Sequence, residues 1–256
     1  MHTQDLFSLA GRTALITGGS RGIGRMIAQG FLAQGARVYI SSRKAEACVQ
    51  TATELSAFGH CVALPGDVST VRGAQDLADA FVAHEPKLDI LVNNAGAAWG
   101  APFDDFPEAG WDKVVNLNMK APFFLTLALA APLRLAAQSR PAKVINIASI
   151  DGIGVNPMET YSYAASKAGL IQLTRRMALR LIEDNIVVSA IAPGAFASEM
   201  NRAARDEAEA TARRIPAKRI GTDEDMAGAA IYLASRAGDY VVGSTLTVDG
   251  GVLLVR

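Results

Sequence analysis

The chain has little cysteine and little histidine, and it carries no surplus of charge of either sign. Cys48 and Cys61 are its only cysteines, too few for a disulfide framework or a cysteine-built zinc site, so reduced thiols in a cytoplasmic setting are expected. The histidines His2, His60 and His84 lack the spacing of a Ser/His/Asp set or of metal ligands. Hydrolase and metalloenzyme chemistry therefore have no candidates, and no metal is expected. Lysine plus arginine number 25, as do aspartate plus glutamate, which leaves no global field to attract nucleic acid or an anionic membrane surface. Residues 1–11 have neither a basic n-region nor an apolar h-region, and the apolar run after them is broken by glycines, which argues against secretion and membrane spanning.

Apolar residues are plentiful. They make up 50% of the 256 residues, enough for a substantial core, and one globular domain over 1–256 is expected. The apolar run Thr13 to Thr17 reads as a buried parallel strand, and Gly18-Gly19-Ser20-Arg21-Gly22-Ile23-Gly24 breaks it before a helix pattern carried by Ile23, Met26, Ile27 and Phe31. Glycines there allow a tight turn and close approach to a pyrophosphate, which the helix N-terminus then attracts. This predicts a dinucleotide site, although the spacing G-x-x-x-G-x-G departs from the commoner G-x-G-x-x-G.

The rest of the chain alternates strands with helices. Strands are expected at Ala36 to Ser41, His60 to Leu64, Leu88 to Val92, Lys143 to Ile147, Ile186 to Ile191 and Thr245 to Val248. That alternation implies a Rossmann-like, doubly wound parallel sheet in a three-layer α/β/α domain. The second strand ends in Ser41-Ser42-Arg43, with no carboxylate to accept from a ribose 2′-hydroxyl. Arg43, with Arg21 as a second cation, suits a 2′-phosphate, which favours NADP(H) over NAD(H); both arginines pointing to water is the alternative. Asp67, before Val68, is either an adenine contact or a turn carboxylate. Asn93-Asn94-Ala95-Gly96 suits close backbone approach to a ligand. A helix from about Trp111 to Gln138 contains Pro122 and Pro132 and should kink or break, with Asn118 near the first break able to reach a freed backbone group or water. Pro193-Gly194 ends the sixth strand, and the polar segment at about 198–216 sits where a cover over a cleft is expected.

Tyr163 and Lys167 stand four residues apart on one helical face. A lysine cation near a phenol stabilises its phenolate and makes the tyrosine a usable acid or base, although such a pair is also common on solvated helices. Ser149 could hydrogen-bond a carbonyl oxygen, and Asn118 could hold water that links Lys167 to solvent. The set fits hydride transfer between nicotinamide and a ketone, with Tyr163 protonating the oxygen. Tyr161 is a rival phenol, off the Lys167 face.

Together, Thr17 to Gly24, Asn93 to Gly96, Asn118, Ser149, Tyr163 with Lys167, Pro193-Gly194 and Asp249-Gly250-Gly251 resemble, in order, the motifs of the classical short-chain dehydrogenases/reductases. The resemblance implies a catalytic tetrad of Asn118, Ser149, Tyr163 and Lys167, with Lys167 also on the nicotinamide ribose. It implies cofactor contacts from Gly18, Ser20, Arg21, Gly22, Ile23, Gly24, Ser42 and Arg43. Asp67 and Val68 match its adenine-side pair, Asn94, Ala95 and Gly96 its strand-end contact, and Pro193 with Gly194, Phe196 and Ser198 its carboxamide-holding backbone. Ser198 stands where a threonine is usual. Ser149 precedes Tyr163 by fourteen residues, where many members have thirteen or fewer, so the loop between them should bulge toward substrate. Phe7 to Arg12 and Ala45-Glu46-Ala47-Cys48 look most like NADPH-dependent β-ketoacyl reductases of the rhamnolipid-associated type. That implies a small-molecule or carrier-bound ketone substrate and a homotetramer or homodimer. A sugar-acid or secondary-alcohol dehydrogenase, and a cofactor-binding regulator without turnover, are the alternatives. Trp99, residues 150–160 and the cover are the expected substrate contacts; Arg202 and Arg205 in the cover could meet the phosphates of an acyl carrier, with solvated helix charges as the favoured alternative.

Overall fold

The computed structural model describes residues 3–255; His2 lies outside them. A helical turn, α1 (Thr3–Leu6), leads to β1 (Thr13–Thr17), α2 (Gly22–Ala33), β2 (Arg37–Ser41), α3 (Ala45–Leu55) and β3 (Cys61–Ala63). Then come α4 (Val71–Val82), β4 (Ile90–Asn93), α5 (Glu108–Val115), α6 (Ala121–Ala128), α7 (Ala130–Ala137) and β5 (Ala142–Ile147). The last part holds α8 (Tyr161–Leu181), β6 (Ile186–Pro193), α9 (Arg202–Asp206), α10 (Ala208–Arg213), α11 (Asp223–Ala234) and β7 (Thr245–Val248). The seven strands form one sheet in the order β3-β2-β1-β4-β5-β6-β7, with every pairing parallel. The direction of winding reverses between β1 and β4, so the ends of these two strands flank the crevice where open α/β sheets bind ligands.

Alternation along the strands divides the apolar side chains between the two faces. Ala14 and Ile16 of β1, with Val38 and Ile40 of β2, face a core closed by Ile27 and Phe31 of α2, Leu55 of α3 and Met226 and Leu233 of α11. Leu15 and Tyr39 face the other core, closed by Leu77 and Phe81 of α4, Leu125 of α6, Leu133 of α7 and Met177 of α8. Each such large apolar side chain contributes about 1.5–3 kcal/mol by leaving water. This is the Rossmann-like, three-layer single domain expected from the alternating pattern.

The proline-containing helix breaks twice, each time for a local reason. A π-helical turn (Asn116–Lys120) joins α5 to α6, with the Ala121 N–H donating to the Asn116 carbonyl. Pro122 follows at once and has no N–H for the carbonyl of Asn118, four residues earlier, so the regular ladder cannot pass through this point. At Leu129 the chain bends by 60° before α7, whose third residue is Pro132. Among the described residues no single helix is long and apolar enough to cross a membrane.

Candidate active site

The expected site residues fall on the carboxyl ends of the strands and the turns after them, and on α2, α8 and the π-helical turn before α6. Gly18 (φ +65°) and Gly22 (φ +52°) occupy the left-handed region that L side chains rarely adopt. A Cβ on Gly18 would lie 2.7 Å from Asn94 Nδ2, and one on Gly22 would lie 3.2 Å from the Ser198 Cβ. The turn is thus packed to the limit, with room for a backbone and none for a side chain. Arg21 caps α2 without any side-chain hydrogen bond, which leaves the first N–H groups of this helix for an anion. Ser42 is half-buried, while Arg21 and Arg43 are exposed. No acidic side chain of the described residues forms an ion pair with either arginine. A cradle that admits only backbone, an open helix N-terminus and two nearby cations fit a dinucleotide carrying an extra phosphate.

Several expected contacts are committed elsewhere. The Asn94 amide donates to the carbonyls of Thr17 (2.9 Å) and Gly18 (3.2 Å), while the Thr17 hydroxyl accepts from the N–H groups of Asn94 and Ala95 (3.0 Å each). Asn94 is therefore a clamp between β1 and β4, and its amide N–H groups are spent on the glycine turn. Asp67 is an exposed turn carboxylate whose Oδ1 accepts the Ser69 N–H at 3.0 Å, and Val68 is core. Phe196 is buried to 2% exposure with its ring against Gly221, so only its backbone can face a ligand. Ser198 lies against Gly22, and its hydroxyl accepts the Asn201 N–H at 3.0 Å. Thr51 of α3 donates to the Ser20 carbonyl at 3.0 Å and ties the turn down from the other side. Ile23 packs against the core, and Pro193 and Gly194 close β6 beside β7.

Ser149, Tyr163 and Lys167 come together across the ends of β5 and α8, with Asn118 behind them. The Ser149 hydroxyl lies beside the Tyr163 phenol, and its oxygen accepts the Asp151 N–H at 3.1 Å. Burial pushes the Tyr163 phenol up to about 12, and Ser149 opposes that rise. Lys167 is 5% exposed, its ammonium donates to the Ile147 carbonyl at 2.6 Å, and it lies 5.7 Å from the centre of the Tyr163 ring. Burial lowers this lysine to about 8. With the Lys167 ammonium turned to the Ile147 carbonyl, the influence that lowers Tyr163 here is Ser149. A phenol held protonated is the form that gives a proton away.

Asn118 occupies the π-helical turn with its side chain fully engaged. Its Oδ1 accepts the Ala97 N–H (2.8 Å) and its Nδ2 donates to the Ala97 carbonyl (2.9 Å) and the Ser166 hydroxyl (3.0 Å). Of its two expected partners, backbone and water, the amide takes the backbone. Trp99, two residues beyond Ala97, packs on Gly110, where a Cβ would come within 2.8 Å of its ring, and Lys113 stands 5.3 Å from the ring centre. In the cover, Arg205 is held by Glu199 and Asp206, which leaves it little freedom to meet a ligand phosphate.

A family model described as enoyl-(acyl carrier protein) reductase, a short-chain dehydrogenase/reductase type, matches residues 18–253. The chain belongs to the short-chain dehydrogenase/reductase family. As such it is an oxidoreductase of the ketone/alcohol couple. Among relatives in this family, a rhamnolipids biosynthesis 3-oxoacyl-[acyl-carrier-protein] reductase of Pseudomonas aeruginosa is 49% identical over 249 residues, covering 96% of this chain and 97% of the relative. A 5-keto-D-gluconate 5-reductase of Escherichia coli is 39% identical over 259 residues, covering 98% of each. The solved structure of a Pseudomonas aeruginosa RhlG/NADP active-site complex superimposes with a TM-score of 0.94 at 49% identity, covering 98% of this chain and 99% of that one.

Sequence reasoning does not single out Ser166. Ser166 accepts from Asn118 and donates to the Tyr163 carbonyl at 2.8 Å, so it fastens the tyrosine's own turn to the π-helical turn. A serine inside Tyr-Ala-Ala-Ser-Lys has no sequence signal separating it from any other small helical residue.

Proposed function

We propose that this short-chain dehydrogenase/reductase is an NADPH-dependent ketoreductase that reduces a 3-oxoacyl thioester, free or carrier-bound, to the secondary alcohol. The observation that carries the reading is Tyr163 beside Ser149, with the buried Lys167 5.7 Å from its ring centre, in a chain 49% identical to a 3-oxoacyl reductase and to a protein solved with NADP. Reduction needs a proton donor for the oxygen on which charge develops, and the Tyr163 phenol, beside Ser149 and the buried Lys167, stands where it can supply one.

The residues act as follows. The glycine turn, Gly18 to Gly24, and the open N-terminus of α2 hold the pyrophosphate, Arg21 and Arg43 hold the 2′-phosphate, and Asp67 and Val68 border the adenine. The backbone of 194–198 would hold the carboxamide, and Ala95 and Gly96 would line the same cofactor site. NADPH, when bound, supplies hydride to the carbonyl carbon. Ser149 and Tyr163 hydrogen-bond the carbonyl oxygen and stabilise the charge that develops there; Tyr163 then gives its proton to the oxygen. The Lys167 ammonium stabilises the phenolate left behind, and the Asn118 carbonyl, deprived of a helical donor by Pro122, holds water that resupplies the proton through Lys167. The segment at about 198–216 covers the cleft, with Trp99 and residues 150–160 as the opposite wall.

The exposed Trp111, Phe123, Leu127, Leu179 and Ile182 on α5, α6, α8 and the turn after it, with Leu254 (87% exposed) in the tail, support self-association of the chain as a dimer or tetramer. The unpaired Cys48 and Cys61 support a cytoplasmic location. The test is loss of nicotinamide absorbance with NADPH, and separately NADH, against a short 3-oxoacyl thioester, a diketone and a keto sugar acid. Oxidation of NADPH by the thioester is expected. Activity confined to NADH or to the sugar acid would overturn the cofactor and substrate assignments and favour the second reading, a sugar-acid oxidoreductase like the 39% identical gluconate enzyme.

A further inference from the structure

The loop after β4 is held at both ends. Asn118 grips Ala97, as described, and Glu159 grips the far end: its backbone carbonyl accepts the Ala101 N–H at 3.2 Å and its Oε1 accepts the Phe103 N–H at 3.1 Å. The same Oε1 accepts the Tyr161 hydroxyl at 3.1 Å. Tyr161 is the first residue of α8, and its ring meets Phe103 and Phe106 edge-on, each at 5.6 Å between centres. Trp99 lies between the two grips.

Helix α8 needs such a tie. Its N-cap residue, Thr160, makes no side-chain cap bond, and Tyr163 is the third residue of the helix, in the turn that frays first when a cap is missing. We propose that Glu159 is a positioning residue for the reaction, which fixes Tyr163 and Trp99 relative to each other by binding the first turn of α8 to the loop after β4. The proposal rests on the ketoreductase reading for its activity readout. Glu159 acts through Tyr161 on one side and the Ala101 and Phe103 amides on the other.

The test compares Glu159→Ala and Glu159→Gln with the parent enzyme. NADPH affinity is read by fluorescence titration, steady-state kinetics use a 3-oxoacyl thioester, and hydrogen exchange is read at Ala101 and Phe103. Since misplacing a reacting group by on the order of an ångström costs up to about a hundredfold, Glu159→Ala should lose about tenfold in kcat. NADPH affinity should stay within about twofold, and both amides should exchange faster as their acceptor bonds are lost or loosened. Glu159→Gln keeps an acceptor oxygen and should restore most of kcat. The proposal fails if Glu159→Ala keeps kcat within about twofold of the parent or if the glutamine variant loses as much as the alanine one; either result removes the acceptor role that sets Tyr163. If the parent reduces no ketone, the function reading has failed instead; unchanged exchange at Ala101 and Phe103 then overturns the latch, and faster exchange supports it.

Discussion

Helices α2 and α11 pack against each other so closely that a Cβ on Gly30 would come within 2.6 Å of the Ala227 Cβ, yet their N-termini are finished in opposite ways. At α11, the Thr222 side chain accepts the Asp225 N–H while Asp225 accepts the Thr222 N–H at 2.9 Å, a closed capping box that Arg219 also binds. At α2, Arg21 offers no side-chain acceptor. α3, which starts beside Arg43, and α8, which carries Tyr163, are uncapped as well. The difference between these two ends is that α11 closes its first turn with its own acceptors, whereas the start of α2 leaves its donors for a ligand.

Substitutions can separate the two classes. The largest effect is expected from Tyr163→Phe, which removes the proton donor at the start of an uncapped helix. Ketone reduction should fall by about 10²- to 10⁴-fold while NADPH affinity, followed by fluorescence, changes little. Unchanged turnover would mean that another group supplies the proton. At the second uncapped helix, Arg43→Ala removes one charge-assisted partner of the 2′-phosphate. The NADPH over NADH preference in kcat/KM should drop about tenfold, since such bonds are worth about 1.5–3 kcal/mol at most. An unchanged ratio would return Arg43 to the role of a solvated charge.

A pH series sharpens the comparison from inside the crevice. Lys167 sits at about 8, lowered by burial, and Tyr163 at about 12. The ammonium is present below about 8 and is lost as pH rises through that value, while the phenol stays protonated well above it. Reductive kcat/KM should therefore be flat below about pH 8 and fall above it. A profile flat up to pH 10 would show that the Lys167 charge is not used. The smallest functional effect belongs to the capped helix: Thr222→Ala should cost about 1 kcal/mol in denaturant unfolding and leave kcat within error. A loss of activity there would break the division between closing caps and open ones.

The layered sheet, the glycine turn and the partnership of Ser149, Tyr163 and Lys167 were legible because each follows from a local pattern: buried runs, glycines at a strand end, a four-residue spacing. What stayed hidden depends on contacts between residues remote in sequence. Arg12 looks like a surface arginine, but it is 2% exposed beneath the sheet, bonded to the carbonyls of Pro141 (2.7 Å), Ala234 (3.2 Å) and Asp89 (3.3 Å). Lys143 is buried beside Asp239 in the same way. Asn94 reads as a ligand contact because strand-end amides suit ligands, and only the neighbouring β1 reveals it as a clamp. The proline breaks could be read; that Pro122 would leave a π-helical turn around Asn118 could not, since proline alone does not choose between a kink and a changed ladder.

The Asn94 clamp also bears on the order of events during folding. Its bond to Thr17 joins residues 77 positions apart, and β1 pairs with β4 only after the intervening β2 and β3 units have been bridged. Closing so long a stretch is slow compared with local helix formation. On a ribosome, the glycine turn is made early but stays unfinished until β4 has emerged and docked. Helical circular dichroism should therefore recover in refolding before NADPH binding does, and a nascent chain stopped before Ile90 should hold the whole turn sequence with no affinity for the nucleotide.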